Sequence, residues 1–293
     1  MNDFRWQNSA QQRQLQTTRR LTAETNQELT CLRAMAGATA SAVCTLPVEP
    51  PDVDPGHFER TYRAQQRAVV IRNATSHVRR ADLFRAATSV AALRSGYGAA
   101  RVTVSSANAF SYGRRQLALR DYLDAMGGVD YGCESSSADI YYWFGEHGEE
   151  LAPLLDRYPL PSLAHTSVDT SPLALALSAL GGASAAPPPP PALSFGAAGD
   201  GSGVPFHHHN DGFAEVLHGA KRWLFHYGEE PPPEFEPNAT SLSWIRATLP
   251  RLPKRLAPLE CTIYPGDLVY FPKDVWHATL NVGTTVFIST FLY

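Results

Sequence analysis

Short apolar runs that end at turn residues dominate the last third of the chain. Each run is too short for a typical helix and is rich in β-branched or aromatic residues, which predicts strands. The predicted strands cover residues 213–217, 221–227, 259–263, 268–271 and 285–291. Gly219-Ala220 is predicted to form a hairpin turn between the first two strands, and Pro265-Gly266 fits the central pair of a type II turn. Such evenly punctuated strands favour a sandwich or barrel of the jelly-roll type.

Helical and extended patterns alternate in the preceding part of the chain. Apolar spacing predicts helices that begin near residue 54 and that cover 78–93, 116–126 and 240–248. Apolar or alternating runs predict strands at 68–71, 101–104 and 139–144. The N-cap of the last helix is expected to be Asn238 or Thr240. The fold is therefore expected to be mainly β with flanking helices.

Changes of composition divide the chain into four segments. Residues 1–43 are polar and are expected to be a disordered or helical extension. Residues 44–293 are expected to form one domain, in which 44–170 is an α/β supporting part and 192–293 is the barrel core. Between these two parts, 171–191 ends in five consecutive prolines, which favour an extended surface insertion without a core of its own.

Composition and charge exclude several classes of function. The chain has 293 residues, 44% hydrophobic and 18% charged, which suits a globular protein. The net charge of −3 gives no indication of nucleic-acid binding, because that function needs a basic face. The sequence contains no run of about 18 apolar residues, so no membrane span is predicted. The first forty residues also lack the apolar region of a secretory signal.

The candidate chemistry lies in a cluster of histidines before one strand and a single histidine near another. Residues two apart on a strand face the same side, so the run from His207 to Asp211 offers two pairs of ligands. His207 and His209 form one pair, and His209 and Asp211 form the other. His277 follows the Pro265-Gly266 turn and would complete either set. This order of parts is the one that a metal-centred barrel needs.

Several segments of the chain resemble a known family. They are Gly201–His207, Leu259–Ile263, Tyr270-Phe271-Pro272, Trp276–Asn281 and Val286–Leu292. In these segments the chain is similar to the JmjC family of Fe(II)- and 2-oxoglutarate-dependent oxygenases, and the resemblance extends over roughly residues 44–293. It implies a cupin fold, which is a double-stranded β-helix of the jelly-roll type, with Fe(II) and 2-oxoglutarate as cofactors.

The resemblance also implies roles for particular residues. The family holds iron with His-x-Asp or His-x-Glu and a distant histidine, whereas alignment on the Gly219-Ala220-Lys221 segment gives His207, His209 and His277. Asp211 remains the alternative ligand, in a set with His209 and His277. Lys221 is expected to bind the far carboxylate of 2-oxoglutarate, assisted by a hydroxyl of Ser289 or Thr290. Val204 stands where relatives place a hydroxyl.

Two functions follow from the resemblance. The first is an oxygenase that hydroxylates a protein side chain, and the alternative is a metal-binding pseudo-enzyme that acts as a scaffold or interaction protein. The partner in either case is expected to be another protein. The members that the chain most resembles reside in the endoplasmic reticulum lumen, whereas the missing secretory signal points to the cytoplasm.

Two further features bear on the compartment. Asn73-Ala74-Thr75 and Asn238-Ala239-Thr240 match the acceptor pattern for N-glycosylation. Cys44 and Cys261 lie in family-like segments and could form a disulfide in an oxidising compartment, but the sequence supports buried or inert thiols equally well.

Overall fold

A computed structural model of the protein describes residues 43–107, 113–126, 141–165 and 190–292. The predicted N-terminal extension, almost all of the predicted proline-rich insertion and the start of the predicted strand at 139–144 lie outside these residues. Within the described ranges, ten strands form one sheet in the order β1-β2-β9-β7-β10-β6-β5-β3-β4, and β8 pairs with β7 off this path. The pairing is antiparallel except between β1 and β2.

The strands lie in two groups along the chain. The first five are β1 (Val48–Glu49), β2 (Val69–Ile71), β3 (Arg101–Ser106), β4 (Arg114–Ala118) and β5 (Tyr141–His147). The other five are β6 (Ala192–Ala198), β7 (Gly212–His226), β8 (Leu259–Ile263), β9 (Leu268–Phe271) and β10 (Trp276–Phe291). The architecture is mainly β with flanking helices, and the predicted jelly-roll fold is confirmed.

Short helices cover the outside of the sheet. They are α1 (Pro55–Phe58), α2 (Arg79–Ala87), α3 (Val90–Tyr97), α4 (Leu119–Met126), α5 (Ala152–Leu155) and α6 (Ser241–Ala247). A π-helical turn, Glu59–Arg63, continues α1. None of the helices in the described ranges has the length and apolarity that crossing a membrane requires.

The predicted hairpin turn at Gly219-Ala220 is wrong, because β7 continues through it. β7 and β10 pair along almost their whole length, with register shifts between Val282 and Phe287. Gly219 (φ +77°) and Gly283 (φ +68°) both adopt left-handed backbone conformations at this level. A Cβ atom on Gly219 would lie 2.3 Å from the carbonyl oxygen of Thr284. The two glycines therefore allow two long strands to bend together through a bulge, and they do not end a strand.

The bulge changes which positions of β7 face the inside of the barrel. Before it, Ala214 and Val216 belong to the interior cluster; after it, Trp223 and Phe225 do. Glu215 faces outwards, where its carboxylate accepts hydrogen bonds from Thr75, Arg85 and Tyr158 at 2.7–3.1 Å. One strand thus supplies even-numbered side chains to one end of the interior and odd-numbered ones to the other.

A local cap and a strand pairing decided two helix boundaries that the apolar spacing alone placed wrongly. The predicted helix over 78–93 is two helices, since the hydroxyl of Ser89 accepts a hydrogen bond from the amide of Ala92 and begins α3. The predicted helix over 116–126 begins only at Leu119, because Arg114–Ala118 pairs with β3. Thr240, however, caps α6 as predicted, and Gly266 (φ +95°) forms the predicted turn.

A disulfide joins Cys44, near the start of the described chain, to Cys261 on β8. The two residues are 217 positions apart in the sequence. The Cys261 side chain is fully buried against the interior cluster. The structure thus contains the disulfide, which the sequence had left open against inert thiols, and this bond fixes the first described segment to the barrel wall.

Candidate metal centre

Three of the predicted ligands converge at one end of the barrel. His277 is the second residue of β10, while His207 and His209 lie on the loop that leads into β7. The expectation of a regular strand under the pair is wrong, because only His207 forms a bridge, with backbone hydrogen bonds of 3.0 and 2.8 Å to His277. One ring nitrogen of each histidine nevertheless lies within 4.8 Å of the other two.

Hydrogen bonds to the backbone orient all three imidazoles. The Nδ1 atoms of His207, His209 and His277 lie 2.7, 2.7 and 2.8 Å from backbone carbonyl oxygens. A carbonyl oxygen can only accept, so each Nδ1 carries the proton and each neutral ring has its lone pair on Nε2. The Nε2 atoms of His209 and His277 are 3.2 Å apart. Two lone pairs that face each other at this distance repel unless a cation lies between them, which suits a metal site.

The environment keeps these histidines neutral. Burial, followed by the neighbouring His209, lowers the pKa of His207 to about 3. Burial, followed by His207 and His209, lowers the pKa of His277 well below its usual value. The pKa of His209 is lowered as well, mainly by burial. Because only deprotonated imidazole binds a metal, the site is ready to do so at neutral pH.

Aromatic rings form the wall behind the three histidines. The ring of His209 lies 5.2 Å from Phe271 and 5.0 Å from Phe291, measured between centroids. His277 lies 5.8 Å from Trp223 and 5.6 Å from Phe271. This wall limits the access of water from the barrel side and fixes the rotamers of the histidines.

Asp211 is engaged away from the three histidines. Its Oδ2 atom accepts hydrogen bonds from Nε of Arg63 at 3.1 Å and from the hydroxyl of Tyr270 at 3.2 Å. Arg63 ends the π-helical turn, so that turn presents the guanidinium to Asp211. Burial, followed by Asp211, raises the pKa of Tyr270. The carboxylate of Asp211 therefore neutralises Arg63. The structure brings His207, His209 and His277 together, and Asp211 is not part of this cluster.

Lys221 is a buried cation without a counter-charge among the residues that the structure describes. It is 4% exposed, and its Nζ atom lies 3.3 Å from Oδ1 of Asn281 and 3.3 Å from the ring centroid of Phe287. Burial lowers the pKa of this lysine to about 7. No acidic side chain in the described ranges forms an ion pair with it. A buried charge without a partner is costly, so the position favours a ligand that brings a negative charge.

The two predicted hydroxyls lie on opposite faces of β10. Ser289 pairs with Ala214, whose side chain belongs to the barrel interior. Ser289 lies two residues after Phe287, which contacts Lys221, and two residues before Phe291, which contacts His209. The three side chains therefore face the same side of the strand. Thr290 lies on the other face, beside the phenol of Tyr158. Ser289 thus shares the interior with Lys221, and Thr290 does not.

Comparison with known proteins gave long matches to one kind of protein. No family model matches the chain. JmjC domain-containing protein 8 of Homo sapiens is 41% identical over 242 residues, which cover 82% of this chain and 81% of that protein. The Rattus norvegicus protein of the same name is 41% identical over 210 residues, or 71% of this chain and 70% of its own length.

This chain belongs to the JmjC domain-containing protein 8 family. A shorter match extends to a second kind of JmjC protein, named bifunctional arginine demethylase and lysyl-hydroxylase psr-1, from Caenorhabditis briggsae. That protein is 30% identical over 87 residues, which cover 25% of this chain and 22% of the psr-1 protein. The resemblance predicted from sequence segments is therefore confirmed.

Sequence reasoning gave no role to four interior residues of this JmjC barrel. Asn281 and Phe287 contact the lysine, and Trp223 packs against His277. Thr279 lies between His277 and Asn281 on β10. A signal for them existed in the two-residue period, because positions 277, 279 and 281 of one strand must face the same side.

Proposed function

We propose that this protein is an Fe(II)- and 2-oxoglutarate-dependent oxygenase that hydroxylates a side chain of another protein. The observation that carries the proposal is the buried ammonium of Lys221, which has no ion-pair partner among the described residues, in the same barrel interior as three convergent histidines. The site thus provides for a metal ion at one end and for a carboxylate at the other. Membership of the JmjC family supports the assignment of both groups.

The metal would be held by His207, His209 and His277. Their three neutral Nε2 donors suit a divalent ion of intermediate softness and leave further coordination positions open. Bound together there, Fe(II) and 2-oxoglutarate would supply oxygen activation coupled to the release of succinate and carbon dioxide. The wall of Trp223 and Phe271 would shield the reacting groups from water on the barrel side.

The co-substrate would be held by Lys221, Asn281 and Ser289. The ammonium of Lys221 would pair with the far carboxylate, and this negative charge would restore the protonated state that burial disfavours. The amide of Asn281 positions the ammonium and donates its own protons to Ser202, at 3.1 Å to both oxygens of that residue. Ser289 would add a hydroxyl from the neighbouring strand.

The absence of a carboxylate from the ligand set changes the charge of the site. Three imidazoles leave both positive charges of Fe(II) uncompensated, whereas a ligating aspartate would cancel one. The two carboxylates of 2-oxoglutarate can supply the missing negative charge at both ends of the pocket. We expect metal and co-substrate to bind cooperatively for this reason.

Two observations support a protein substrate in the endoplasmic reticulum lumen. The psr-1 relative carries the name of an arginine demethylase and lysyl-hydroxylase. The disulfide between Cys44 and Cys261 suits an oxidising compartment, and Asn73 and Asn238 are exposed, as glycan acceptors must be.

Production of succinate tests the proposed activity. The purified protein would be loaded with Fe(II), mixed with 2-oxoglutarate and air, and followed by proton NMR. Oxygenases of this kind consume some 2-oxoglutarate without their protein substrate, so we expect slow formation of succinate, which His277→Ala should abolish. The proposal fails if the wild type, shown to contain iron, forms no more succinate than the His277→Ala control does, even with a cell extract as substrate source.

The second candidate function is a metal-binding pseudo-enzyme that acts as an interaction protein. The observation in its favour is the all-histidine ligand set, because Asp211 is neutralised by Arg63 and offers no carboxylate to the metal. In that case the protein would retain its metal but give neither succinate nor calorimetric binding of 2-oxoglutarate. Succinate formation and calorimetric binding of 2-oxoglutarate therefore separate the two candidate functions.

A further inference from the structure

The interior faces of β7 and β10 form three successive cross-strand pairs. Phe225 pairs with His277, Trp223 pairs with Thr279, and Lys221 pairs with Asn281. Successive pairs on one face of a sheet are about 7 Å apart along the strands. The first pair belongs to the metal centre, and the third belongs to the proposed carboxylate site. A ligand that reaches from one to the other must pass the middle pair, to which the proposed function assigns no role.

Thr279 brings an unused hydroxyl proton to the middle pair. Its side chain is buried, with the residue 3% exposed, and Oγ1 accepts a hydrogen bond from the backbone amide of Val204 at 3.1 Å. A hydroxyl that accepts one bond still has its own proton to donate. That proton has no acceptor among the described residues.

Trp223 brings an unused N–H group to the same pair. Its Nε1 atom is buried and has no hydrogen-bond partner in the part of the chain that the structure describes. The buried indoles of Trp143 and Trp244 do have acceptors, which are the carbonyl oxygens of Glu146 and Pro233. Buried indole N–H groups are normally satisfied, so the exception calls for an acceptor that the described residues do not supply.

We infer that Thr279 and Trp223 form the middle of the co-substrate site and donate hydrogen bonds to 2-oxoglutarate between its metal end and its Lys221 end. The inference rests on the proposed function. Both groups are positioning residues that would orient the acid between its two anchors, and both are donors, which suits a ligand that consists of a ketone and two carboxylates.

Calorimetry on the Fe(II)-loaded full chain without oxygen tests the inference, because it measures binding of 2-oxoglutarate apart from turnover. Thr279→Val removes only the hydroxyl and should weaken binding by about 10-fold, the loss of one hydrogen bond to a charged or polar acceptor. Thr279→Ser should restore binding to about wild-type strength. Trp223→Phe keeps an aromatic ring and should weaken binding by about 3- to 10-fold.

Matched controls separate this role from a structural one. Thr290→Val makes the same exchange on the outer face of β10 and should leave the Kd of 2-oxoglutarate unchanged. Iron content and the midpoint of urea unfolding, measured on every variant, show whether Thr279→Val or Trp223→Phe disturbs the metal centre or the fold. Rescue by Thr279→Ser would not occur if the threonine merely packed through its methyl group, because serine lacks that methyl.

The outcomes distinguish the inference from the function on which it rests. If the wild type binds 2-oxoglutarate, Lys221→Met does not, and the Thr279 and Trp223 variants bind like the wild type, the proposed site stands and the middle pair has no part in it. If the iron-loaded wild type binds no 2-oxoglutarate, both the proposed function and the inference are wrong.

Discussion

Replacement of Lys221 by methionine should stabilise the metal-free protein while it abolishes binding of 2-oxoglutarate. The lysine is buried with an amide and an aromatic ring as its partners, and no described residue brings an opposite charge to it. Methionine has a similar length and volume, so it should fill the same space without a cavity. We expect both effects if Lys221 serves ligand binding and lowers the stability of the metal-free protein.

The lowered pKa of Lys221 gives the size of the effect. A drop of the pKa from 10.5 in the unfolded chain to about 7 in the folded protein corresponds to about 4 kcal/mol of lost stability at pH 7. Methionine also loses the contacts with Asn281 and Phe287, and we therefore expect a net stabilisation of about 1–4 kcal/mol at pH 7.

The sign of the pH dependence follows from the same shift. The folded pKa lies below the unfolded one, so the unfolded chain holds the proton more tightly and the wild type gains stability as the pH rises from about 7 to 10.5. The advantage of Lys221→Met should therefore shrink by about 2 kcal/mol between pH 7 and pH 9. The buried histidines contribute equally to both proteins and cancel in the difference.

Urea unfolding of both proteins at pH 7, 8 and 9, with the disulfide intact and a chelator present, measures this difference. Lys254→Met serves as the control, because Lys254 is exposed and its replacement should change stability by less than about 0.5 kcal/mol. A Lys221→Met protein that is less stable than the wild type at pH 7, or whose advantage does not fall with pH, would refute the account of Lys221 as an uncompensated buried cation.

Four further expectations concern the metal centre, its histidines, the disulfide and the sequons. His207→Ala should lower iron content by orders of magnitude, whereas Asp211→Asn should retain most of it; elemental analysis that shows the reverse order would restore the alternative ligand set. Because burial lowers the pKa values of the ligand histidines, the metal-free protein should lose stability as the pH falls below about 6.5, which urea unfolding at pH 5 and 6.5 would show or disprove. Joint replacement of Cys44 and Cys261 by serine should cost about 2–5 kcal/mol in the same assay, and an unchanged midpoint would mean that the bond constrains little. Protein made in a secretory host should lose mass on glycosidase treatment, and Asn238→Gln should reduce that loss; no change of mass in the wild type would count against the lumen.

The sequence by itself determined the class of fold and most of its strands. The two-residue alternation and the turn at Pro265-Gly266 depend on nearest neighbours, and the structure has both as predicted. The cap at Thr240 is equally local. The likeness to JmjC proteins also lies in short segments, so it could be recognised before any contact was known. It also brought Cys44 and Cys261 forward as a possible disulfide, but only the structure decided between that bond and inert thiols.

Only the tertiary structure decided the bend at Gly219. A glycine with positive φ occurs both in hairpin turns and in bulges, so the local signal is the same for the two. The choice depends on β10, whose own glycine, Gly283, lies opposite and bends with it. The position of the bulge in turn determines which side chains of β7 face the interior.

The same holds for the site residues. His207, His209 and Asp211 alternate along the chain and would all share one face of a strand, so spacing could not choose between the two ligand sets. Arg63, 148 positions before Asp211, and Tyr270, 59 positions after it, engage the carboxylate. Likewise, whether the ammonium of Lys221 has an ion-pair partner depends on which acidic side chains the fold brings near it. Such long-range contacts leave no trace in local sequence, because only the folded chain brings their two partners together.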